Sequence, residues 1–424
     1  MAVPDTFFYR EQAFLAQLGD PDAYGAVQEA WAPTHAMLVR DLSINPLQGD
    51  QIELNYARPY FGSRPSRLVK RHARVSGKFD LASAGSAAVI AGTAPGWGIM
   101  ARSAALGEVI RAAAATVATT KTASGTPTGA FTYVQAAAYT GVVDRLVTIA
   151  CTTPGDSATA AFTVSSPAVA HLPAHSATGQ VMTTGAAFAL LGGATITPTV
   201  TTPFAEGDTW TIWLRAAGAA YSPVTTGQDV VDAYVQWGPN RHLLAGMRGG
   251  GQFVLPANAW PDFEYEGLAL YSAPTSESAP TLDTTRFIEP QPVEFGATVY
   301  ARLGGIDLAL TRAALQIGNS VVNRSLPGRR EIRVNDRQSK LELTFEAMSV
   351  ADRNFIADLA AGSTLAFELL HGTAQGEAIH LSCPRCQIES GGDYADEESS
   401  TVQSFTFRLL PSDSGNDEFV LSAR

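Results

Sequence analysis

A similar strand is written twice, far apart in the chain. The first copy is Ala73-Arg74-Val75-Ser76-Gly77-Lys78-Phe79-Asp80-Leu81, and the second is Ser339-Lys340-Leu341-Glu342-Leu343-Thr344-Phe345-Glu346-Ala347. Both alternate apolar and polar residues with period two, which buries one face of a strand and wets the other. A basic stretch precedes each: Arg64, Arg67, Lys70 and Arg71 in the first, Arg329, Arg330 and Arg333 in the second. A short helical segment follows each, and an aromatic strand comes later, Phe263-Glu264-Tyr265-Glu266-Gly267 and Phe405-Thr406-Phe407-Arg408-Leu409. The expectation is two copies of one β-domain in tandem. Such a chain is a natural brick for rings, because each copy can occupy an equivalent place.

Composition sharpens this. The 424 residues have room for two or three domains, and 46% are hydrophobic, enough for packed cores. Only 16% are charged, against about 25% in ordinary globular domains; that deficit points to a surface covered by other subunits. A net charge of −11 argues against a surface built to grip nucleic acid, and would keep passing DNA from sticking. The N-terminus lacks the cationic and apolar pattern of a signal peptide. The longest soft apolar stretch, Ala186 to Ala194, is too short to span a bilayer. The expectation is a protein made in the cytoplasm, soluble until it assembles and not in a membrane.

Residues 1–40 read as an N-terminal arm, with Phe7, Phe8, Phe14, Leu15 and Leu18 to be covered by a neighbouring subunit or, through a short helix, by the chain's own core. Residues 41–118 and 220–285 form the first domain and 286–424 the second. In the first, Pro95 opens a helix running to Ala115. In the second, Ser349 and Asp352 resemble a capping box, Phe355, Ile356 and Leu359 supply the apolar face, and Gly362 ends the helix. Residues 119–219 differ in texture, rich in Thr, Ala, Ser and Gly and nearly free of Lys and Arg. Strand-like pieces recur there at 146–149, 161–164 and 209–213. We read this as a small β-sandwich inserted into the first domain, hinged at Thr119-Thr120 and Thr225-Thr226-Gly227 and projecting outward. The fold class is therefore mainly β (α+β): two tandem β-sandwich or barrel domains, each with a short helix, and one inserted β-domain.

Four stretches carry a resemblance: Tyr24-Gly25 followed by Ala36-Met37-Leu38-Val39-Arg40-Asp41-Leu42-Ser43; Arg58-Pro59-Tyr60-Phe61-Gly62; Gly92-Thr93-Ala94-Pro95-Gly96-Trp97-Gly98-Ile99-Met100; and Gly246-Met247-Arg248-Gly249 through to Phe263-Glu264-Tyr265-Glu266-Gly267-Leu268. In order and spacing they resemble the tail tube (major tail) proteins of long, non-contractile-tailed bacteriophages. That resemblance implies a β-sandwich or small barrel flanked by a helix, sheets lining a channel, and rings stacked into a tube of the virion tail. It implies self-assembly as the main partnership, in trimeric rings with pseudo-sixfold symmetry, or alternatively plain hexamers. Further partners would be the tape-measure protein and the tail-tip and terminator proteins, with DNA passing unbound. Rival readings are a baseplate or terminator-type ring protein, and a carbohydrate-binding adhesin acting through the inserted domain.

The candidate inter-subunit contacts are Arg64, Arg67, Lys70, Arg71, Arg329, Arg330 and Arg333 against the acidic loop of Asp393, Asp396, Glu397 and Glu398, with Asp20 and Asp22 as a second acidic set. The basic stretches also fit contact with DNA phosphates or a solvated strand face. The acidic loop fits a channel lining that repels DNA, or a solvated loop. No catalytic motif is found: no Gly-x-Ser-x-Gly elbow, no His-Glu-x-x-His, no Walker loop. Cys383-Pro384-Arg385-Cys386, with His371 and His380 nearby, has the spacing of half a zinc site, but a full site needs about four ligands; thiols in a strand-end turn are the expected reading. No cofactor and no metal are expected.

Overall fold

The computed structural model describes residues 12–424 except 28–29, 55, 58–60, 113–114, 123–128 and 170–171, and for 115–122 the backbone alone. The chain begins with β1 Gln12–Leu18, β2 Arg40–Glu53 and β3 Ser66–Asp80, then the short helices α1 Ser86–Ile90 and α2 Gly98–Ser103, then β4 Leu106–Arg111. Next come β5 Ala115–Thr122, β6 Ala130–Ala137, β7 Arg145–Thr153, β8 Ala161–Ser166, β9 His175–Val181, β10 Phe188–Ala189, β11 Thr195–Thr201 and β12 Thr209–Leu214. The chain returns through β13 Gly218–Pro223, β14 Val231–Trp237, β15 Asn240–Pro256, β16 Asp262–Tyr271 and β17 Thr275–Ser276. It ends with β18 Thr298–Leu303, β19 Ile306–Asp307, β20 Leu310–Gln316, β21 Asn319–Leu326, β22 Arg329–Arg337, β23 Lys340–Glu346, α3 Phe355–Ala361, β24 Thr364–His371, β25 Ile379–Glu397, β26 Ser400–Leu409 and β27 Val420–Ala423. The protein is mainly β, built of antiparallel ladders.

The repeated strands are β3 and β23, and each pairs with its aromatic strand. Phe79 stands opposite Phe263 in the β3–β16 ladder, and Leu343 opposite Phe405 in the β23–β26 ladder. Extending outward, the strands of the first run lie in the order β2-β3-β16-β15-β14-β1. Those of the second lie in the order β20-β23-β26-β25-β24-β18. Position by position the two orders correspond. Matching β3 to β23 sets Tyr265 on Phe405 and Gly267 on Phe407, two residues away from a letter-for-letter match of the aromatic strands. An even offset keeps every side chain on its face.

One glycine position shows how close the correspondence is. Gly251 lies opposite Tyr265 and Gly391 opposite Phe405. Their φ angles are 150° and 121°. A Cβ at Gly251 would run into the carbonyl oxygen of Glu264, and one at Gly391 into that of Ser404, which occupy equivalent places. Both strands therefore cross their partner at a point that excludes any side chain.

The core runs through both units. Phe253 stacks on Phe263 with ring centroids 4.4 Å apart, and Phe345 on Phe405 at 5.8 Å. These rings, with Phe79, Tyr265, Phe367 and Phe407, belong to one continuous cluster. Burying each such aromatic contributes about 1.5–3 kcal/mol.

Residues 115–216 have a core of their own, around Ile149, Phe162, Ile196, Phe204 and Trp210. Two sheets enclose it, β5-β12-β7-β8-β9 and β6-β11-β10. Trp210 is buried and Trp213 exposed, as their odd spacing on β12 requires.

Several sequence expectations need correction. Thr119 and Thr120 lie inside β5, with Thr120 opposite Thr211, so they are not a hinge. Thr225-Thr226-Gly227 follows β13, which pairs with β4 and β27 rather than with the inserted sheets. The inserted ladders start at Ala115 and end at Leu214, and the junctions fall beside Arg111 and Gly218, which face each other in the β4–β13 ribbon. No long helix runs from Pro95 to Ala115: α2 stops at Ser103, and Leu106–Arg111 is strand, because Tyr221 and the other β13 residues offer it a ladder. The cap of α3 is Asn354, whose Oδ1 accepts from the Ala357 amide at 2.9 Å, and not Ser349. Gly362 does end that helix, with φ 64°. Ile356 lies on its exposed side rather than its apolar face. Phe14 and Leu15 are buried on the chain's own core through the β1–β14 ladder, in a strand rather than a helix; Phe7 and Phe8 lie outside the described residues.

Candidate assembly edges

The two runs are joined edge to edge within the chain. The C-terminal half of β15 leaves β14 and pairs with β20: Gln252 opposite Gln316, Phe253 opposite Leu315, Val254 opposite Ala314, Leu255 opposite Ala313 and Pro256 opposite Arg312. The Ile317 amide extends the joint by donating to the Gly251 carbonyl at 3.0 Å. The joint is dry: Phe253, Ala313, Ala314 and Leu315 are fully buried.

A hairpin reinforces it. β21 and β22 continue from β20 and lie against β15, β16 and β3 of the first run. Asn319 Nδ2 donates to the carbonyls of Ala104 and Gly249 at 2.6 and 3.0 Å. The Tyr24 hydroxyl donates to the Gly246 carbonyl at 2.6 Å and accepts from the Ile332 amide at 2.7 Å. Arg248 lies over the Tyr24 ring and donates to the Ile332 carbonyl at 2.9 Å. Burial pushes the Tyr24 hydroxyl up to about 12, so it stays a neutral donor. Tyr24-Gly25 and Gly246-Met247-Arg248-Gly249, two stretches singled out in the sequence, thus meet at the joint. A third, Gly96-Trp97-Gly98, packs Trp97 into the core, where its Nε1 donates to the Ala82 carbonyl at 2.7 Å; Cβ atoms at Gly96 and Gly98 would strike Phe287 and Tyr221. Of Arg58-Pro59-Tyr60-Phe61-Gly62, the first three lie outside the described residues, and Phe61 is fully exposed.

Among the described residues several edges carry a ladder on one side only, and two of them stand at positions equivalent to the joint. β2 pairs with β3 alone. Beyond Gln387, β25 leaves β24 and pairs with β26 alone. Every residue from Asp393 to Glu398 is exposed.

The structure separates the candidate charged residues. Lys70 Nζ pairs with Asp50 Oδ2 at 2.9 Å and the Arg71 guanidinium lies over the Tyr271 ring. Arg329 and Arg333 converge on Glu331, at 2.8 and 3.4 Å. Arg330 donates to the Arg71 carbonyl at 3.4 Å, so the two basic stretches touch each other. Arg64 and Arg67 lie near the tip of the β2–β3 hairpin, Arg67 exposed. Asp393, Asp396, Glu397 and Glu398 sit on the open end of β25 and its turn into β26. Asp20 Oδ1 accepts from the Asp22 amide at 2.9 Å in a local turn.

Sequence reasoning missed a charged joint under the inserted domain. Asp144 takes Arg215 at 2.8 Å, Arg111 and Arg424 at 3.5 Å, and the Ala216 amide at 2.8 Å. Burial raises its carboxyl, but Arg215, Arg424 and the Ala216 amide outweigh that and hold it below the usual range. Burial lowers the Arg424 guanidinium, with Asp144 opposing. Around them Val142 and Val143 pack on Tyr300, Leu370 and Ala378. The signal, one Asp in a basic-poor insertion and an Arg 280 positions later, has no local spacing to reveal it.

Cys383 and Cys386 are buried inside β25, not in a strand-end turn, with Cys386 Sγ 3.5 Å from the Cys383 carbonyl. His371 is held between Thr298 and the Gln291 carbonyl. Among the described residues no group of three or more His, Cys, Asp or Glu side chains is placed to hold a metal ion, and no helix is long and apolar enough to cross a membrane. A cleft of about 550 Å³ lies between the 293–302 segment and Asp307–Thr311; its polar groups include Arg302 and Asp307, which bind each other at 2.8 Å. A scan against protein-family models returns no match, and neither does a search of curated protein sequences.

Proposed function

We propose that this chain is a structural protein that polymerises as stacked rings into the tail tube of a long, non-contractile phage tail. The observation that carries this reading is the internal joint. Two runs of strands in the same order are already fused edge to edge in one chain, as neighbours in a ring would be. A heterologous, head-to-tail contact of this kind propagates and closes when the rotation allows. Three chains then supply six near-equivalent positions, with plain hexamers of the whole chain as the alternative. The resemblance in the four stretches supplies the tail-tube assignment, and two of those stretches make the joint. In this role the chain has no turnover. It encloses a channel for DNA and the tape-measure protein and contacts tail-tip and terminator proteins at its ends. The basic stretches and the acidic 393–398 loop serve contacts between subunits, and the inserted domain projects outward.

Electron cryo-microscopy of the purified chain, concentrated until it assembles, tests this. Stacked rings with true threefold and approximate sixfold symmetry are the expected result. Rings of six full chains would replace the stoichiometry and keep the function. A single ring that never stacks would favour a terminator-type part.

A further inference from the structure

We propose that the open end of β25, at residues 393–395, is the docking edge for strand β2 of a second copy of this chain, in the register already written inside the molecule. The inference rests on the ring reading above and adds the residues that make the contact. The ladders carry each position of the internal joint onto an equivalent. Through β16 and β26, Gln252 corresponds to Asp393, Phe253 to Tyr394 and Val254 to Ala395. Through β3 and β23, Gln316 corresponds to Asn45, Leu315 to Ile44 and Ala314 to Ser43. Transferring the β15–β20 pairs gives the intermolecular ladder directly. Asp393 faces Asn45 of the next copy, Tyr394 faces its Ile44 and Ala395 its Ser43.

Three observations support this occupant over any other. First, the equivalents differ in cover as a missing neighbour requires. Phe253 is 0% exposed and Tyr394 61%. Leu315 and Ala314 are buried, whereas Ile44 is half-buried and Ser43 exposed. Tyr394 stands opposite the buried Gln403, and Ile44 opposite the buried Val75, so docking puts both on the core face. Second, the ladder has natural ends. Pro46 replaces Ile317, whose amide extends the internal joint, and on the other side β2 shifts register between Arg40 and Ser43, where Asp41 has φ 52°. A short matched edge of this kind resists indiscriminate pairing. Third, the hairpin that seals the internal joint has an unsealed counterpart. The distal β2–β3 hairpin corresponds to β21–β22, and its Leu47, Ile52 and Leu54 are exposed. Beside the open end of β25, Ile356 on the first turn of α3 lies against Gly392 and is exposed. Exposed apolar groups thus stand on both sides of one predicted contact.

The test is cysteine cross-linking between two singly substituted chains, Ser43→Cys and Ala395→Cys, both at exposed positions; the native cysteines are buried. The two are mixed, assembled and mildly oxidised. The expected product is a disulfide dimer of the mixed pair, about tenfold above the one-residue-shifted pair Ile44→Cys with Ala395→Cys, because a one-residue slip turns the side chain to the other face. Ser43→Cys alone cross-linking to itself would mean two β2 edges pair symmetrically, and would overturn the proposal. Electron microscopy of the same sample separates the two layers. Rings without the cross-link overturn this register and leave the tube reading standing. A chain that stays monomeric and uncross-linked at every concentration overturns both.

Discussion

At the scale of the residue, the chain spends its special side chains on joints between segments far apart in sequence. Tyr24 ties the segment after β1 to β15 through Gly246 and to β22 through Ile332. Its hydroxyl satisfies a carbonyl and an amide that a phenylalanine would leave bare. Tyr24→Phe should therefore destabilise the fold by about 1–2 kcal/mol, read as a fall in the midpoint of chemical denaturation at unchanged slope. Gly391 offers a sharper case. Its φ and the Ser404 carbonyl against its α-carbon forbid a Cβ, so Gly391→Ala should cost about 1–3 kcal/mol. Gly392, whose Cβ would meet only the Phe405 and Ile356 side chains at 3.4 Å or more, has ordinary contacts but also a positive φ of 100°. Gly391→Ala should thus be the worse of the two in thermal melts; an equal effect would mean that the backbone angle alone matters there.

At the scale of the element, the inserted domain is the most separable part. Arg111 and Gly218 face each other across the β4–β13 ladder, and paired residues of antiparallel strands lie about 4.5–5.5 Å apart. Replacing residues 112–217 by Asn-Gly should close that ribbon as an ordinary two-residue hairpin. The shortened chain should fold, keep the first- and second-run ladders, and still assemble. Aggregation on expression would show that Val142 and Val143 are needed to cover Tyr300 and Leu370. This junction was only partly legible beforehand. The change of texture near residue 119 marks an insertion, but β5 shares that texture while belonging wholly to the inserted sheet. Composition changes with the surface a strand faces, whereas the boundary is set by which strand it pairs with.

At the scale of the whole molecule, three distant parts meet at Asp144, Arg424 and His380. Burial and the neighbouring Arg424 push the His380 imidazole down to about 4, with Asp144 opposing. The folded state therefore binds this proton less readily than the unfolded chain. Between pH 6.5 and about 4 the unfolded state holds more protons, and stability rises with pH. Allowing for its residual exposure, the contribution is on the order of 2 kcal/mol. His380→Gln should flatten the stability profile across that window. Asp144 acts lower: its carboxyl is depressed, so its contribution is present above the usual value of 3.8 and lost as pH falls through its folded value. An unchanged profile in His380→Gln would place the titration elsewhere.

What the sequence determined by itself was local and periodic. The alternation in 73–81 and 339–347 specified two buried-face strands, the aromatic strands specified their partners' faces, and Gly362 specified a helix end. Each depends on neighbours within a few residues, where backbone geometry and periodicity act directly. The tertiary structure alone decided that β15 changes partners from β14 to β20, that Gly251 and Gly391 are the same position, and that Asp144 sits over Arg424. Those contacts join residues tens to hundreds of positions apart. Their free energy comes from burying matched edges and charges, and no spacing along the chain records which edge will find which.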